Sequence, residues 1–262
     1  MGKPIIGFFI GDAHVLGDTG LCIPGFHVGS KDKRPYSASY KQKWLYDKFR
    51  DFTQFVELLS VEYDLFIGIG GDNVDGVMHH ESTQTCGTRQ DQIDMAVELF
   101  KPLVGMARWC YGVTGTAAHV GDVGDDDRAV YEALGVDYSD FFELEISGRL
   151  LWWSHHGLPV GTREHTLENG AMALVRDIDA RCMRDGKRKP DAIVGHDRHR
   201  TFEPFNLRGV SAAVSPCWQL PTYYGMRWPF TQVSVGYLMW RVSENVIERR
   251  LYEQPSRTVR AI

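Results

Sequence analysis

Residues 5–18 read IIGFFIGDAHVLGD: an apolar run from Ile5 to Ile10, a glycine, and then Asp12 and His14 two residues apart. Five β-branched and aromatic residues around Gly7, with no polar alternation, predict a strand covered on both faces, as in an α/β protein. Asp12 and His14 then lie at its carboxyl end. That edge of an open α/β sheet is where ligands bind, so a carboxylate and an imidazole on one turn suit a metal or acid/base site. The same pair also reads as a turn aspartate beside an exposed histidine. The ends of the other strands discriminate between the two.

Outward from this run, helical and strand patterns alternate. Leu45, Phe49, Phe52, Val56 and Leu59 recur at steps of four and three, which predicts an amphipathic helix over residues 38–62. DLFIGIGG (64–71) reads as a second buried strand. Ile93, Val97, Phe100 and Val104 mark another helix, and WCYGVTG (109–115) a third strand. A shorter helix at 125–134 precedes FFELEIS and RLLWWSH, joined as a hairpin through Ser147 and Gly148. A long helix at 164–184 leads into DAIVGH (191–196). The remainder, 201–262, is β-rich, with VSAAVS and QVSVGYLMW as its clearest strands. The order predicts an α/β fold in which a layered sheet sandwich is flanked by helices.

Composition sets wide bounds. A chain of 262 residues makes one large domain or two small ones, and 43% apolar with 24% charged residues is ordinary for a globular protein. A net charge of −5 offers no overall basic footprint for nucleic acid, and RCMRDGKRKP (181–190) and HDRHR (196–200) read as solvated surface. The five cysteines are scattered with no C-x-x-C pair, so neither a thiolate zinc site nor a disulfide framework is expected. No stretch reaches the roughly 18 apolar residues of a membrane helix, and no signal-peptide core opens the chain. A cytoplasmic location is the expectation, with no linker or repeat along the chain.

The strand ends share one chemistry. The first supplies Asp12 and His14, and GGDNVDG supplies Asp72 and Asp75. GTAAH supplies His119, LWWSHHG His155 and His156, and IVGHDRHR His196 and His199. Five endings of one type are hard to attribute to chance. Imidazole with carboxylate suits Mn, Zn, Fe, Co or Ni, whereas calcium calls for oxygen ligands alone. So many ligands exceed one tetrahedral site and point to two divalent transition-metal ions, the arrangement used for phosphoester displacement. Other phosphate and hydrolase devices are absent: GIGGDN lacks the lysine and hydroxyl of a phosphate loop, and Ser154 sits in no G-x-S-x-G elbow.

D-A-H at 12–14, G-D-N-V-D-G at 71–76, a glycine-led segment ending in His119, H-H-G at 155–157 and G-H-x-x-H at 195–199 together resemble the calcineurin-like metallophosphoesterases. The resemblance implies a single domain over 1–262, a two-sheet sandwich flanked by helices in four layers, with 201–262 as a β-rich part of it. It implies Asp12, His14, Asp72 and His199 as ligands of one ion, Asp72 bridging to a second held also by His155 and His196. His155 is preferred to His156 as the ligand from the H-H-G pair. His119 is implied as general acid, with Asp75 as the carboxylate that orients it. The implied reaction is hydrolysis of a phosphomonoester or phosphodiester by a metal-activated water.

Two departures qualify the likeness. Ala118 stands where the family carries an asparagine ligand, leaving a water or an oxygen such as that of Thr116 to serve the second ion. Asp197 and Arg198 both separate the closing histidines, where one residue is usual. The G-T-x-A-H variant is similar to a subset of the family found in phage and prophage sequences. Other readings are a degenerate homologue that binds one ion with a structural role, an amidohydrolase-type barrel, which would open with H-x-H, and a nucleic-acid enzyme stacking bases on Trp218, Tyr223, Tyr224 and Trp228. The loops at 18–40 and 77–90, with His27, His79 and His80, are expected to shape the pocket.

Overall fold

The computed structural model describes residues 2–76, 88–116, 125–222 and 233–255. Strand β1 (Ile5–Ile10) is the centre of a six-stranded sheet ordered β13-β12-β1-β4-β5-β6, with β4 at Asp64–Ile69, β5 at Trp109–Val113, β6 at Asp137–Ser139, β12 at Gly236–Arg241 and β13 at Val246–Leu251. A five-stranded sheet, β10-β11-β9-β8-β7, is built from β7 (Phe141–Ile146), β8 (Arg149–Ser154), β9 (Ala192–Gly195), β10 (Phe205–Leu207) and β11 (Val210–Val214). A short ribbon pairs β2 (His27–Val28) with β3 (Arg34–Pro35).

The side-chain period of two sorts β1 between cores. Ile6, Phe8 and Ile10 face helices α1 (Tyr40–Ser60), α2 (Arg89–Met106) and α3 (Asp125–Leu134), in a cluster with Leu45, Phe49, Phe52, Leu99 and Val130. Phe9 faces the other way. It packs with Phe66, Leu151, Trp153, Leu238 and Trp240 between the two sheets. The outer face of the second sheet, through Ile193, Ala212 and Val214, is covered by Ala171 and Val175 of α4 (Asn169–Asp185). The result is four layers, helix, sheet, sheet, helix, as the alternation of patterns predicted. Truncating a side chain such as Phe9 to alanine there costs roughly 3–5 kcal/mol.

The helix ends follow ordinary chemistry. Ser39 caps α1 with its side chain on the Gln42 amide, and Gln42 returns the bond in a capping box. Gly186 ends α4 in the left-handed conformation at φ 63°. The predicted helix at 164–184 divides into a 3₁₀ turn, Glu164–Thr166, and α4, because the Leu167 carbonyl turns aside to accept from the Gly161 amide. Strand β13 is hidden in the sequence because VIERRL is charged; among the described residues it is an edge strand, paired only with β12, where charges are usual. Trp218 is fully buried, edge-on to Phe49 at 5.0 Å, so it is core and not a base-stacking surface. Tyr223, Tyr224 and Trp228 lie outside the described residues. Arg188 and Lys189 of the basic cluster pair with Asp191 and Asp179. Among the described residues no helix is long and apolar enough to cross a membrane.

Candidate metal centre

The parallel order of β1, β4 and β5, and of β8 and β9, brings their carboxyl ends to one edge of the sandwich. Pairing continues past β1 and β4: the Asp12 amide donates to Gly71, His14 to the Asp72 carbonyl and Val15 to Asn73. The backbone around this edge is strained. Asp12 (φ 50°), His14 (43°), Asp72 (56°), Asp197 (74°) and His199 (51°) are all left-handed, five of the nine such non-glycine residues among those described. Side chains rarely accept that conformation, and five such residues gather at one place.

Two glycines open the space. A Cβ on Gly11 would fall 2.7 Å from His196 Nδ1, and one on Gly70 would fall closer still, so the His196 ring lies against bare backbone. Gly11 and Gly70 therefore do more than end their strands.

Within this space His14 Nε2 and His199 Nε2 are 3.1 Å apart, and His199 Nε2 is 3.5 Å from Asp12 Oδ1. His155 Nε2 stands 3.2 Å from Asp72 Oδ2 and 4.0 Å from Asp12 Oδ1. Asp12, His14 and His199 form one set of ligand atoms within 4.8 Å of one another, and Asp12, Asp72 and His155 form a second. Asp12 is common to both. His196 lies beside them, its Nδ1 3.9 Å from Asp12 Oδ2. Asp12, His14, Asp72, His155 and His196 are almost wholly buried, and His199 is half-buried. Among the described residues, His155 Nδ1 and His196 Nδ1 are buried without a hydrogen-bond partner. Buried polar atoms are rarely left so, and a mixed carboxylate and imidazole set with such atoms fits a divalent transition ion.

The charges are strongly coupled. Burial raises the Asp12 carboxyl, but the His199 hydrogen bond and the nearby histidines outweigh it and hold it below the usual range. Burial opposes charge on His155, yet its bond to Asp72 and the surrounding aspartates push it up to about 9. Burial, joined by the charge of His155, drives His196 down to about 3 against the pull of Asp12 and Asp72.

The remaining candidates fall into place around this core. Asp75 Oδ1 faces His14 Nδ1 at 3.5 Å. Its expected partner, His119, and the neighbouring Ala118 lie outside the described residues, as do His79 and His80. Thr116 donates to Asp72 from both its amide, at 2.7 Å, and its hydroxyl, at 3.2 Å. His156 is exposed and turned to Asp197 Oδ2 at 3.4 Å, whereas His155 is buried against Asp72.

Asp127 and Trp153 were not singled out in the sequence. Asp127, fully buried on α3, accepts from the Asp72, Asn73 and Gly115 amides and the Asn73 side chain, and so fixes the turn that carries Asp72. Burial and the charge of Asp72 raise its carboxyl to about 6. Its only sequence signal was a run of three aspartates opening a helix, which ordinarily signifies nothing more than the helix dipole.

No protein-family model and no curated protein matches the chain. Among solved structures, an archaeal phosphodiesterase is similar over 94% of this chain and 99% of its own, at 10% identity and a TM-score of 0.44. Vps29 of Chaetomium thermophilum is similar over 97% of this chain and all of its own, at 12% identity and a TM-score of 0.44. A 5′-nucleotidase of Candida albicans SC5314 is similar over 95% of this chain and 51% of its own, at 10% identity and a TM-score of 0.37.

Proposed function

We propose that the chain is a metallophosphoesterase-like hydrolase that cleaves phosphomonoesters or phosphodiesters at a dinuclear centre. The observation that carries this reading is the convergence of carboxylates and imidazoles from four strand ends, two of the buried ring nitrogens lacking a hydrogen-bond partner among the described residues. Asp12, His14, Asp72 and His199 would hold one ion. Asp72, His155 and His196 would hold the second. When bound, the ions supply positive charge against the phosphoryl oxygens and lower the proton affinity of water.

The chain's own residues have separate tasks. Asp75, facing His14 Nδ1, holds that ring with Nε2 turned inward. Thr116 and Asp127 fix the Asp72 carboxylate and its turn. His119 is the proposed proton donor to the leaving oxygen. A second reading, one ion and a binding role, is favoured by Ala118, which offers no ligand atom.

Elemental analysis of protein purified without chelators, with a screen of aryl phosphates, bis-aryl diesters, nucleotides and single-stranded DNA, tests the proposal. Two transition ions per chain and metal-dependent turnover are expected. One ion without turnover establishes the second reading, and an ion-free, inert protein overturns both.

A further inference from the structure

A neutral imidazole holds one proton and one lone pair, and at His196 the surroundings choose between its two nitrogens. The Trp153 indole N–H, which can only donate, points at His196 Nε2 at 3.0 Å inside the core between the sheets. Nε2 must therefore offer its lone pair. The proton of the neutral ring is then on Nδ1, the atom that faces Asp12 Oδ2 at 3.9 Å and has no hydrogen-bond partner among the described residues. Neither ring is free to turn away. Trp153 is stacked on Phe142 and packed edge-on to Phe9, and His196 lies against Gly11 and Gly70.

The contrast with His14 is informative. Behind His14 stands a carboxylate, Asp75, at 3.5 Å from Nδ1, which favours the proton there and leaves Nε2 as a lone pair aimed at His199. That is the usual support of a ligating histidine, whose outer nitrogen donates to an acceptor. Behind His196 stands a donor. For His196 to ligate through Nδ1, its proton must move to Nε2, which sets two N–H groups against each other and leaves the indole N–H unpartnered in an apolar core.

We propose that Trp153 is a positioning residue that fixes His196 in its Nδ1–H tautomer and thereby weakens capture of an ion at His196 relative to the site of Asp12, His14 and His199. The consequence for ion binding rests on the metal-centre reading; the tautomer does not.

Long-range ¹H–¹⁵N correlation spectra of metal-free, ¹⁵N-histidine-labelled protein test the tautomer directly. His196, assigned by its loss in His196→Gln, is expected as Nδ1–H. Replacing Trp153 with 3-benzothienylalanine keeps the shape but puts sulfur in place of N–H, and Trp153→Phe removes the donor by a second route. Both are expected to shift His196 toward Nε2–H. Calorimetric titration with Mn²⁺ is then expected to show the weaker ion binding threefold to tenfold more tightly, with the tighter one unchanged. An Nε2–H tautomer in the native protein, or a weaker ion whose affinity fails to rise in the sulfur analogue, overturns the proposal. Binding of no ion at all overturns the metal-centre reading and the consequence drawn from it, and is told apart by a tautomer that still follows residue 153.

Discussion

His14 Nε2 and His199 Nε2 face each other at 3.1 Å across 185 residues of chain. Two ring nitrogens so placed share either one proton or one cation, and the span is within reach of two imidazole–metal bonds of about 2.0–2.1 Å. His14→Ala and His199→Ala are each expected to lower the metal content by about one ion per chain. His156→Ala is the control, since His156 is exposed and turned to Asp197, and it should leave the content unchanged. Plasma mass spectrometry of the dialysed proteins reads the result, and full occupancy in His14→Ala refutes the shared-ion assignment.

Removal of metal should expose a pH dependence set by His155. Its pKa is raised in the folded chain, to about 9, chiefly because Asp72 and Asp12 outweigh its burial. The folded state thus holds this proton more tightly than the unfolded state, so the stabilisation is fully present below pH 6.5 and lost as pH rises through 9. The expected loss is on the order of 3 kcal/mol. Urea unfolding in chelator at pH 6 and pH 9.5 measures it, and His155→Gln should flatten the difference. A metal-free protein equally stable at both values contradicts the coupling.

Asp127 gives the third test. Alanine there strands three backbone amides, those of Asp72, Asn73 and Gly115, in a buried place. Unmet donors cost about 1–3 kcal/mol each, so Asp127→Ala should lose at least 3 kcal/mol. Metal content should fall with it, because the turn carrying Asp72 is no longer held. Unchanged metal binding in a folded Asp127→Ala protein would separate Asp127 from the centre.

What the sequence disclosed and what it concealed divide along physical lines. The strands and helices were legible because core-facing residues such as Phe8 and Phe52 obey periods of two and 3.6. Asp12, His14, Asp72, His155 and His199 were legible because buried strands ended in unusual polar chemistry. Asp127 was concealed because its partners are backbone amides, which no residue type announces. Trp153 read as one more core aromatic, and only its 3.0 Å bond to His196 distinguishes it. The Asp75–His14 contact joins residues 61 positions apart, a proximity no spacing rule conveys. Strand β13 is concealed for the opposite reason: an edge strand needs no apolar face.

The glycines beside His196 predict a selective defect. A methyl group at Gly70 cannot coexist with the present position of the His196 ring, so Gly70→Ala should displace that ring and cost about 1–3 kcal/mol as an overpacked core does. The set formed by Asp12, His14 and His199 does not use His196. Calorimetry should therefore find the tighter ion retained and the weaker one lost. Loss of both together would mean that Gly70 supports the whole centre.

The left-handed backbone at His199 allows strain to be separated from ligation. An L-residue in that conformation costs roughly 1–2 kcal/mol, whereas glycine adopts it freely. His199→Gly and His199→Ala both remove the imidazole, so both should lose an ion. They should differ in stability: without metal, the glycine variant is expected to be the more stable by about 1 kcal/mol, against the usual order. At His156, which is not left-handed, the usual order should hold, with glycine less stable than alanine by about 0.5–1 kcal/mol. Thermal unfolding of the four metal-free proteins makes the comparison, and each pair shares the same lost side chain. If alanine is the more stable at both positions, the strain at His199 is not stored in the folded chain. If the order reverses between them, the backbone at residue 199 is held against its preference by the elements that aim its ring at His14, which is the form strain takes when a site is built ahead of its ligand.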